Sequence, residues 1–272
     1  HKTIEMGYSV REVDVITGPA TGRPSSATFK TADLVGLDTL AHVAKNCLDN
    51  LPHDEDRELF AVPDVVSKLI ESGATGRKAG AGFYKKVGRD ILTLDLATGE
   101  YISVDKPKFD SIKKARSKSS VAERIAHVLG SDDRAGAFAR ATILRSLAYS
   151  ANRLGEIADD VRSIDDAMRW GFNWDMGPFE LWQSIGVSKV NELMEAEGVP
   201  VPQAALEAAK TGHWYPENEE LGKPSPLQRA AKLGNVVASS HTTRTLDIGD
   251  GVLAFEFFTK MNSLDNSVVE NL

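Results

Sequence analysis

The stretch GRPSSATFKTADLVGLDTL, residues 22–40, has a counterpart in MGPFELWQSIGVSKV, residues 176–190. Phe29 and Phe179 hold the same place in the two stretches, 150 residues apart. Because order and spacing persist beyond these stretches, the sequence predicts a tandem duplication of one helical unit, with chance matching of apolar patterns as the alternative. The other matched pairs are Val13-Asp14 with Ile164-Asp165, Gly36 with Gly186, Leu37 with Val187, Leu40 with Val190, Gly73 with Gly212, and Phe83-Tyr84 with Trp214-Tyr215.

The remaining patterns predict a mainly helical chain with little sheet. Ser9 and Glu12 have the spacing of a capping box, in which each side chain bonds the other residue's backbone amide. Apolar residues recur at helical spacing over residues 138–154. Two stretches favour strands: residues 91–104, which alternate around a turn as a hairpin does, and residues 250–258 near the C-terminus.

The composition, with 42% apolar and 26% charged residues, is that of a globular chain. The net charge of −7 argues against a nucleic-acid surface, and the basic stretch at 108–118 is interpreted as solvated. No apolar run approaches the roughly 20 residues that span a bilayer. The single cysteine, Cys47, excludes an internal disulfide and a multi-cysteine zinc site. We therefore expect a cytoplasmic protein with no metal, nucleic-acid or membrane partner.

The usual catalytic motifs are absent: the sequence has no GxGxxG after a strand, no P-loop and no GxSxG nucleophile turn. The glycine-rich stretch GATGRKAGAG, residues 73–82, favours a turn whose glycines permit positive φ, although Lys78 could contact a phosphate. The acidic run at 54–56 is interpreted as solvated surface, and His42 as a structural histidine. The clustered tryptophans of the second copy are interpreted as core: Trp170, Trp174 and Trp182.

Three motifs carry a resemblance to a known family. Residues 33–38 read DLVGLD, residues 76–84 read GRKAGAGFY, and residues 164–186 repeat the pattern with a different loop. These motifs resemble the C-terminal domain of 3-hydroxyacyl-CoA dehydrogenases, over residues 1 to about 235. The resemblance implies a mainly α fold of two tandem duplicated helical domains, similar to the 6-phosphogluconate dehydrogenase C-terminal fold, with a small β-hairpin and a C-terminal β segment.

The tail, residues 246–272, resembles the first strand and turn of an enoyl-CoA hydratase domain of the crotonase family. In that family the loop matching Lys260–Ser263 lies beside the CoA nucleotide, and the catalytic carboxylates come later in the sequence. Together the resemblances divide the chain into a first helical domain at 1–86, a linker with a hairpin at 87–119, a second helical copy at 120–237 and the start of a hydratase-like domain at 238–272.

By resemblance, the chain is a fragment of a fused NAD-dependent 3-hydroxyacyl-CoA dehydrogenase and enoyl-CoA hydratase of fatty acid β-oxidation. NAD and the catalytic residues would belong to a Rossmann domain upstream of His1. No catalytic, cofactor-binding or metal-binding residue is therefore assigned here, and the chain alone is expected to be inactive. The implied partners are acyl-CoA, the upstream Rossmann domain and a downstream hydratase domain, with a homodimer left open. The residues that would line the acyl or pantetheine side of the cleft are Gly22, Arg23, Pro24, Thr28 and Phe29.

Two other interpretations remain open at this point. One is a free-standing helical interaction module without catalysis. The other is the helical domain of a different β-hydroxyacid dehydrogenase, against which the crotonase-like tail speaks.

Three structural expectations follow from the duplication and the resemblance. Phe29 and Pro24 should border an open groove, and the strand at 252–258 should lack a partner strand within the chain. The second copy should pack against the first, because a half-buried helical repeat needs a partner for its apolar face. The residues expected at that contact are Leu34, Leu37 and Leu40 of the first copy with Leu181, Ile185 and Val190 of the second.

Overall fold

The computed structural model describes residues 1–216, 230–231, 234–259 and 263–272, which belong to two compact units divided after residue 217. The first unit is mainly helical and contains both copies of the repeat. Among the described residues, no helix is long and apolar enough to cross a membrane.

Five helices build the first copy, and local signals fix their ends. The Ser9 amide donates to Glu12 Oε2 at 2.9 Å while the Glu12 amide donates to Ser9 Oγ at 3.3 Å, which confirms the capping box. Gly36, with a φ of 106°, joins the third helix to the fourth in a conformation that favours glycine. The helices are α1 (Lys2–Glu5), α2 (Val10–Ile16), α3 (Phe29–Val35), α4 (Leu37–Asn50) and α5 (Asp64–Glu71).

A three-stranded antiparallel sheet follows, formed by β1 (Tyr84–Val87), β2 (Asp90–Leu94) and β3 (Tyr101–Ile102) in that order. The pairing of β2 with β3 confirms the hairpin predicted at 91–104. The sheet is continuous with the first copy, because Leu94 is buried in the same apolar cluster as Val10, Leu37, Leu69 and Phe83.

The second copy is built around one long helix, α8. This helix packs against its neighbours α7, α10, α11 and α12, and also against α2 of the first copy. Gly186, with a φ of 111°, joins α10 to α11 as Gly36 joins α3 to α4. The helices after the sheet are α6 (Asp110–Ala115), α7 (Val121–Leu129), α8 (Arg134–Asn152), α9 (Val161–Phe172), α10 (Pro178–Ile185), α11 (Val187–Ala196) and α12 (Gln203–Thr211).

These elements confirm the predicted fold class of two tandem helical domains with small antiparallel sheets. The prediction of the surfaces that join the copies is wrong for the first copy. Leu34 and Leu40 are 46% and 38% exposed, and Leu37 is buried in the core of its own copy. The copies meet instead where α7 packs on the short 3-10 turn Pro19–Thr21 and where α8 packs on α2.

The acidic run at 54–56 is not solvated surface as predicted but binds α8. Arg153 pairs with Asp54 at 3.2 Å and with Glu55 at 2.6 Å, and the Tyr149 hydroxyl donates to Asp54 at 2.7 Å. The Asp54 side chain is only 3% exposed. The helical pattern of α8 could not reveal this contact, because its partners lie almost 100 residues away in the sequence.

The second unit contains a separate antiparallel sheet of β4 (Val236–Ser239), β5 (Thr243–Gly249) and β6 (Val252–Phe257), followed by α13 (Asn266–Glu270). The expectation that the last strand lacks a partner is wrong, since β6 pairs with β5 over its whole length. Of the loop matched to the crotonase family, Lys260–Asn262 lies outside the described residues.

Candidate functional site

A buried aspartate in the first copy binds the start of α3. Asp14 Oδ1 accepts from the backbone amides of Phe29 at 2.7 Å and Thr28 at 3.1 Å. Its other oxygen accepts from the hydroxyl of Tyr84 at 2.7 Å. Because Oδ2 also accepts from the Lys30 amide at 3.3 Å, the carboxylate satisfies three unpaired amides at a helix N-terminus, and it fixes the closing strand β1 to α2.

The second copy repeats this arrangement at the matched residues. Asp165 accepts from the amides of Phe179 and Glu180, both at 2.8 Å, and from the hydroxyl of Tyr215. We call the pairs Asp14–Tyr84 and Asp165–Tyr215 the two aspartate clamps. Their common geometry is independent support for the duplication, because the sequence matched these residues without assigning them any contact.

A second acceptor holds the closing aromatic pair of each copy. Asp33 accepts from the amides of Phe83 at 2.8 Å and Tyr84 at 2.9 Å. Gln183 Oε1 accepts from the amides of Trp214 and Tyr215, both at 2.8 Å. The side-chain amide oxygen of Gln183 thus has the same role in the second copy as the carboxylate of Asp33 in the first. Because the two residue types differ, the sequence comparison did not reveal this match.

Burial raises the pKa of both clamp aspartates. It raises the pKa of Asp165 to about 7, since loss of solvent outweighs the bonds donated by Tyr215 and two backbone amides. For Asp14 burial also raises the pKa, against the stabilising bonds from Phe29 and Tyr84. The folded second copy therefore binds a proton more readily than the unfolded chain.

This shift predicts a pH-dependent stability. The pKa of Asp165 in the folded chain lies above its unfolded value of 3.8, so its contribution is fully present below pH 3.8 and is lost as pH rises through about 7. Between pH 5 and pH 8 the free energy of unfolding should fall by about 2–3 kcal/mol more for the unchanged chain than for Asp165→Asn. Urea unfolding of both proteins across this range checks the difference, and parallel pH profiles would contradict the assignment to Asp165.

Phe29, one of the predicted substrate residues, lies at the edge of the core. Its ring contacts Phe83 edge-on, with 4.5 Å between centroids, and the side chain is half-buried. The matched contact between Phe179 and Trp214 is 4.7 Å, and there Phe179 is completely buried. The first copy therefore leaves the Phe29 ring partly accessible, whereas the second copy encloses the matched Phe179 ring.

Two other predicted substrate residues lie at the contact between the copies. The Gly22 carbonyl accepts from the Asp175 amide at 2.8 Å, and a Cβ at Gly22 would approach Val121 to 3.0 Å. The Arg23 guanidinium stacks 4.5 Å from the centre of the Trp174 ring, and burial lowers its pKa to about 10. Both residues are engaged by the second copy.

The remaining two predicted residues, Pro24 and Thr28, lie in the same loop. Pro24 is half-buried and Thr28 is exposed, with the Thr28 hydroxyl 2.7 Å from that of Thr17. Thr28 and Phe29 thus lie at the start of α3, where Asp14 binds both amides, while Gly22 and Arg23 contact the second copy. The role of all five in substrate binding stays a prediction.

An open groove of about 990 Å³ adjoins this loop and is strongly basic. Ser25 and Ser26 line it from the loop, and four cations line it from α3, the glycine-rich turn and the β1–β2 hairpin. Within the described part of the chain these cations form no ion pair. The four are Lys30, Arg77, Lys86 and Arg89.

The sequence interpretation missed this groove, although part of its signal was present. Gly76 and Gly80 adopt φ values of 129° and 84°, as the turn interpretation requires. Gly82 has a different role, since a Cβ there would lie 2.1 Å from Asp33 Oδ1. Basic residues follow this turn in the stretch YKKVGR, residues 84–89. Because side chains alternate between the two faces of a strand, this stretch could have indicated a charged face.

The tryptophans of the second copy differ in environment. Trp182 is completely buried and contacts Trp214 at 5.0 Å, as the core interpretation predicted. Trp170 is 72% exposed, so the interpretation is wrong for it. Trp174 is half-buried beneath Arg23.

Both copies match one family of known proteins. Residues 1–86 and 121–228 match the family described as 3-hydroxyacyl-CoA dehydrogenase, C-terminal domain. A Bacillus subtilis protein named "Probable 3-hydroxyacyl-CoA dehydrogenase" is 39% identical over 98% of this chain and 36% of its own length. A Deinococcus radiodurans protein of the same name is 49% identical over 30% of this chain and 23% of its own length.

A more distant similarity extends over the same part of the chain. A Rickettsia prowazekii protein, whose name describes a fatty acid oxidation complex trifunctional enzyme, is 25% identical over 98% of this chain and 36% of its own length. The chain therefore spans about a third of the length of the relatives that it matches throughout.

Proposed function

Since the chain belongs to the 3-hydroxyacyl-CoA dehydrogenase family through two copies of its C-terminal domain, we propose that it holds the acyl-CoA substrate of such an enzyme. In this proposal the enzyme oxidises 3-hydroxyacyl-CoA to 3-oxoacyl-CoA in fatty acid β-oxidation. The loop from Gly22 to Phe29 lines the substrate cleft of the first copy. The second copy fixes this loop through its contacts with Gly22 and Arg23.

The observation that carries the proposal is a difference between the two copies. In the second copy α8 packs against α11, where Val190 and Met194 are completely buried. In the first copy the matched helix α4 exposes Leu40, which is 38% exposed, and Val43, which is 53% exposed. The same apolar face is covered in the second copy and open in the first. This difference supports the proposal that a further segment packs on the first copy.

The nicotinamide cofactor of the family does not fit the residues of this chain. Dinucleotide sites are built on parallel strands with a glycine-rich turn leading into a helix. The sheets among the described residues are antiparallel, and the sequence has no such turn. We therefore place NAD and the catalytic residues in a Rossmann region of a longer protein, which packs over the first copy.

The tail extends the proposal to a second activity. Its resemblance to the crotonase family and the similarity of the chain to a trifunctional relative support a hydratase region after residue 238. Leu253, on β6, is 59% exposed, as expected for a strand that joins a larger sheet. The domain boundaries at 86, 119 and 237 remain predictions, as do the cytoplasmic location and the homodimer.

The proposal is tested by NADH formation from 3-hydroxybutyryl-CoA, measured with residues 1–272 alone and with the longer protein. We expect no turnover by the chain alone, because general acid–base catalysis and cofactor positioning both lie elsewhere. Turnover by the chain alone would show that the catalytic residues are misplaced. A longer protein that folds and remains inactive would favour the interaction module instead.

A further inference from the structure

We propose that the basic groove binds the phosphorylated end of coenzyme A, through Lys30, Arg77, Lys86 and Arg89. This inference rests on the proposed function, since acyl-CoA is its substrate, and it adds the part of the chain that takes the phosphates. The groove adjoins the loop assigned to the acyl and pantetheine arm, because Ser25 and Ser26 line the groove between Pro24 and Thr28.

The hairpin geometry directs the charges into the groove. Side chains alternate between the faces of a strand, so Tyr84 and Lys86 share the groove face of β1. Ile91 lies opposite Lys86 in the register and shares that face. Asp90 lies opposite Val87, on the other face, so its carboxylate does not neutralise the groove.

The charge balance of the groove is opposite to that of the chain. Among the described residues that line it, the sole carboxylate belongs to Asp33, which is 7% exposed and whose two oxygens accept from the Phe83 and Tyr84 amides. Four cations therefore face solvent together in a chain whose net charge is −7. Uncompensated clusters of this kind raise the local concentration of anions.

The size and lining of the groove fit an organic phosphate better than a small inorganic ion. Its volume of about 990 Å³ lies at the upper end of the range for sites of organic ligands. Arginine forks at Arg77 and Arg89 suit phosphate oxygens, and the serine hydroxyls of the loop add donors. The partly exposed side chains of Leu34 and Ile91 offer apolar contact beside the charges.

A second basic groove provides a matched control. It has a volume of about 490 Å³ and is lined by Lys106, Lys108, Lys113 and Arg116, together with Asp110. The double variant Lys30→Glu/Arg89→Glu and the control Lys108→Glu/Lys113→Glu change the net charge by the same amount. All four positions are at the surface, so circular dichroism can verify that both variants fold.

Isothermal titration of residues 1–272 with CoA, 3′-dephospho-CoA and pantetheine tests the proposal. The groove variant should bind CoA at least tenfold more weakly than the unchanged chain, while the control should change less than twofold. Removal of the 3′-phosphate should weaken the binding of the ligand to the unchanged chain. Raised salt should weaken the binding of CoA but not the binding of pantetheine. The proposal would be overturned if both variants lost CoA affinity equally or if the control alone lost affinity. It would also be overturned if the unchanged chain did not bind CoA at millimolar concentration. An active longer enzyme whose KM for acyl-CoA is unchanged by the groove variant would refute the inference and leave the proposed function standing.

Discussion

Gly177→Ala should lower the free energy of unfolding by about 3–5 kcal/mol, near the upper limit for a single substitution. The added Cβ would lie 2.3 Å from Asp165 Cβ and 2.4 Å from Asp165 Cα. The φ of Gly177 is −74°, which any residue adopts, so the effect arises from the close approach alone. To admit a methyl group, α9 and α10 must separate, which breaks the amide bonds to Asp165.

Gly171→Ala is the matched control for this substitution. Gly171 lies in α9, and no atom lies within 4 Å of the position its Cβ would take. Alanine there should be neutral or stabilise the helix by up to about 1 kcal/mol. Urea unfolding followed by circular dichroism measures both variants. A loss below about 1 kcal/mol for Gly177→Ala would show that α9 and α10 are not held as described.

Arg153→Met should lower the free energy of unfolding by about 2–4 kcal/mol. The substitution keeps a long apolar stem and removes the charge that compensates Asp54 and Glu55. Because Asp54 is only 3% exposed, its carboxylate would stay buried with hydrogen bonds from the Tyr149 hydroxyl and the Asp56 amide but without the Arg153 charge. The loss arises from that uncompensated charge more than from the attraction itself.

Two further variants separate this mechanism from a general loss of charge. Arg124→Met removes a pair with Asp175 at 3.2 Å, whose side chains are 25% and 48% exposed, and it should cost less than about 1 kcal/mol. Adding Asp54→Asn to Arg153→Met should restore part of the stability, since it removes the buried charge. Thermal unfolding of the three proteins measures these differences, and a double variant less stable than Arg153→Met would contradict the mechanism.

The sequence predicted those features of the fold that depend on near neighbours or on repetition. The capping box at Ser9 and the hairpin at 91–104 involve residues close in the chain, and both are present. The repeat was visible because Phe29 and Gly36 recur as the same residue types. The match between the copies could not be extended to Asp33 from the sequence, because Gln183 makes the same contact with a different chemical group.

Long-range partners explain the predictions that failed. The apolar pattern of α3 and α4 showed that Leu34 and Leu40 form a face, but not that the second copy packs on α2 and the turn Pro19–Thr21 instead. The acidic run at 54–56 has the composition of a solvated loop, and only the position of Arg153 in space makes it a contact. The groove likewise brings cations together from three separate elements, which no local pattern specifies.

In the proposed function, the first copy holds the substrate and the second copy holds the first. Phe29→Leu and Phe179→Leu test it directly, because they make the same change at matched positions of the two copies. Phe179 is completely buried and Phe29 is half-buried, so Phe179→Leu should lower stability more.

The measurement is the KM for 3-hydroxyacyl-CoA of the proposed longer enzyme, with the melting temperature of each variant recorded beside it. We expect Phe29→Leu to raise KM about three- to tenfold, as the loss of about 1 kcal/mol of binding predicts. Phe179→Leu should leave KM unchanged while it lowers the melting temperature further. If KM instead rises with the loss of stability in both variants, or rises for Phe179→Leu alone, the first copy does not hold the substrate.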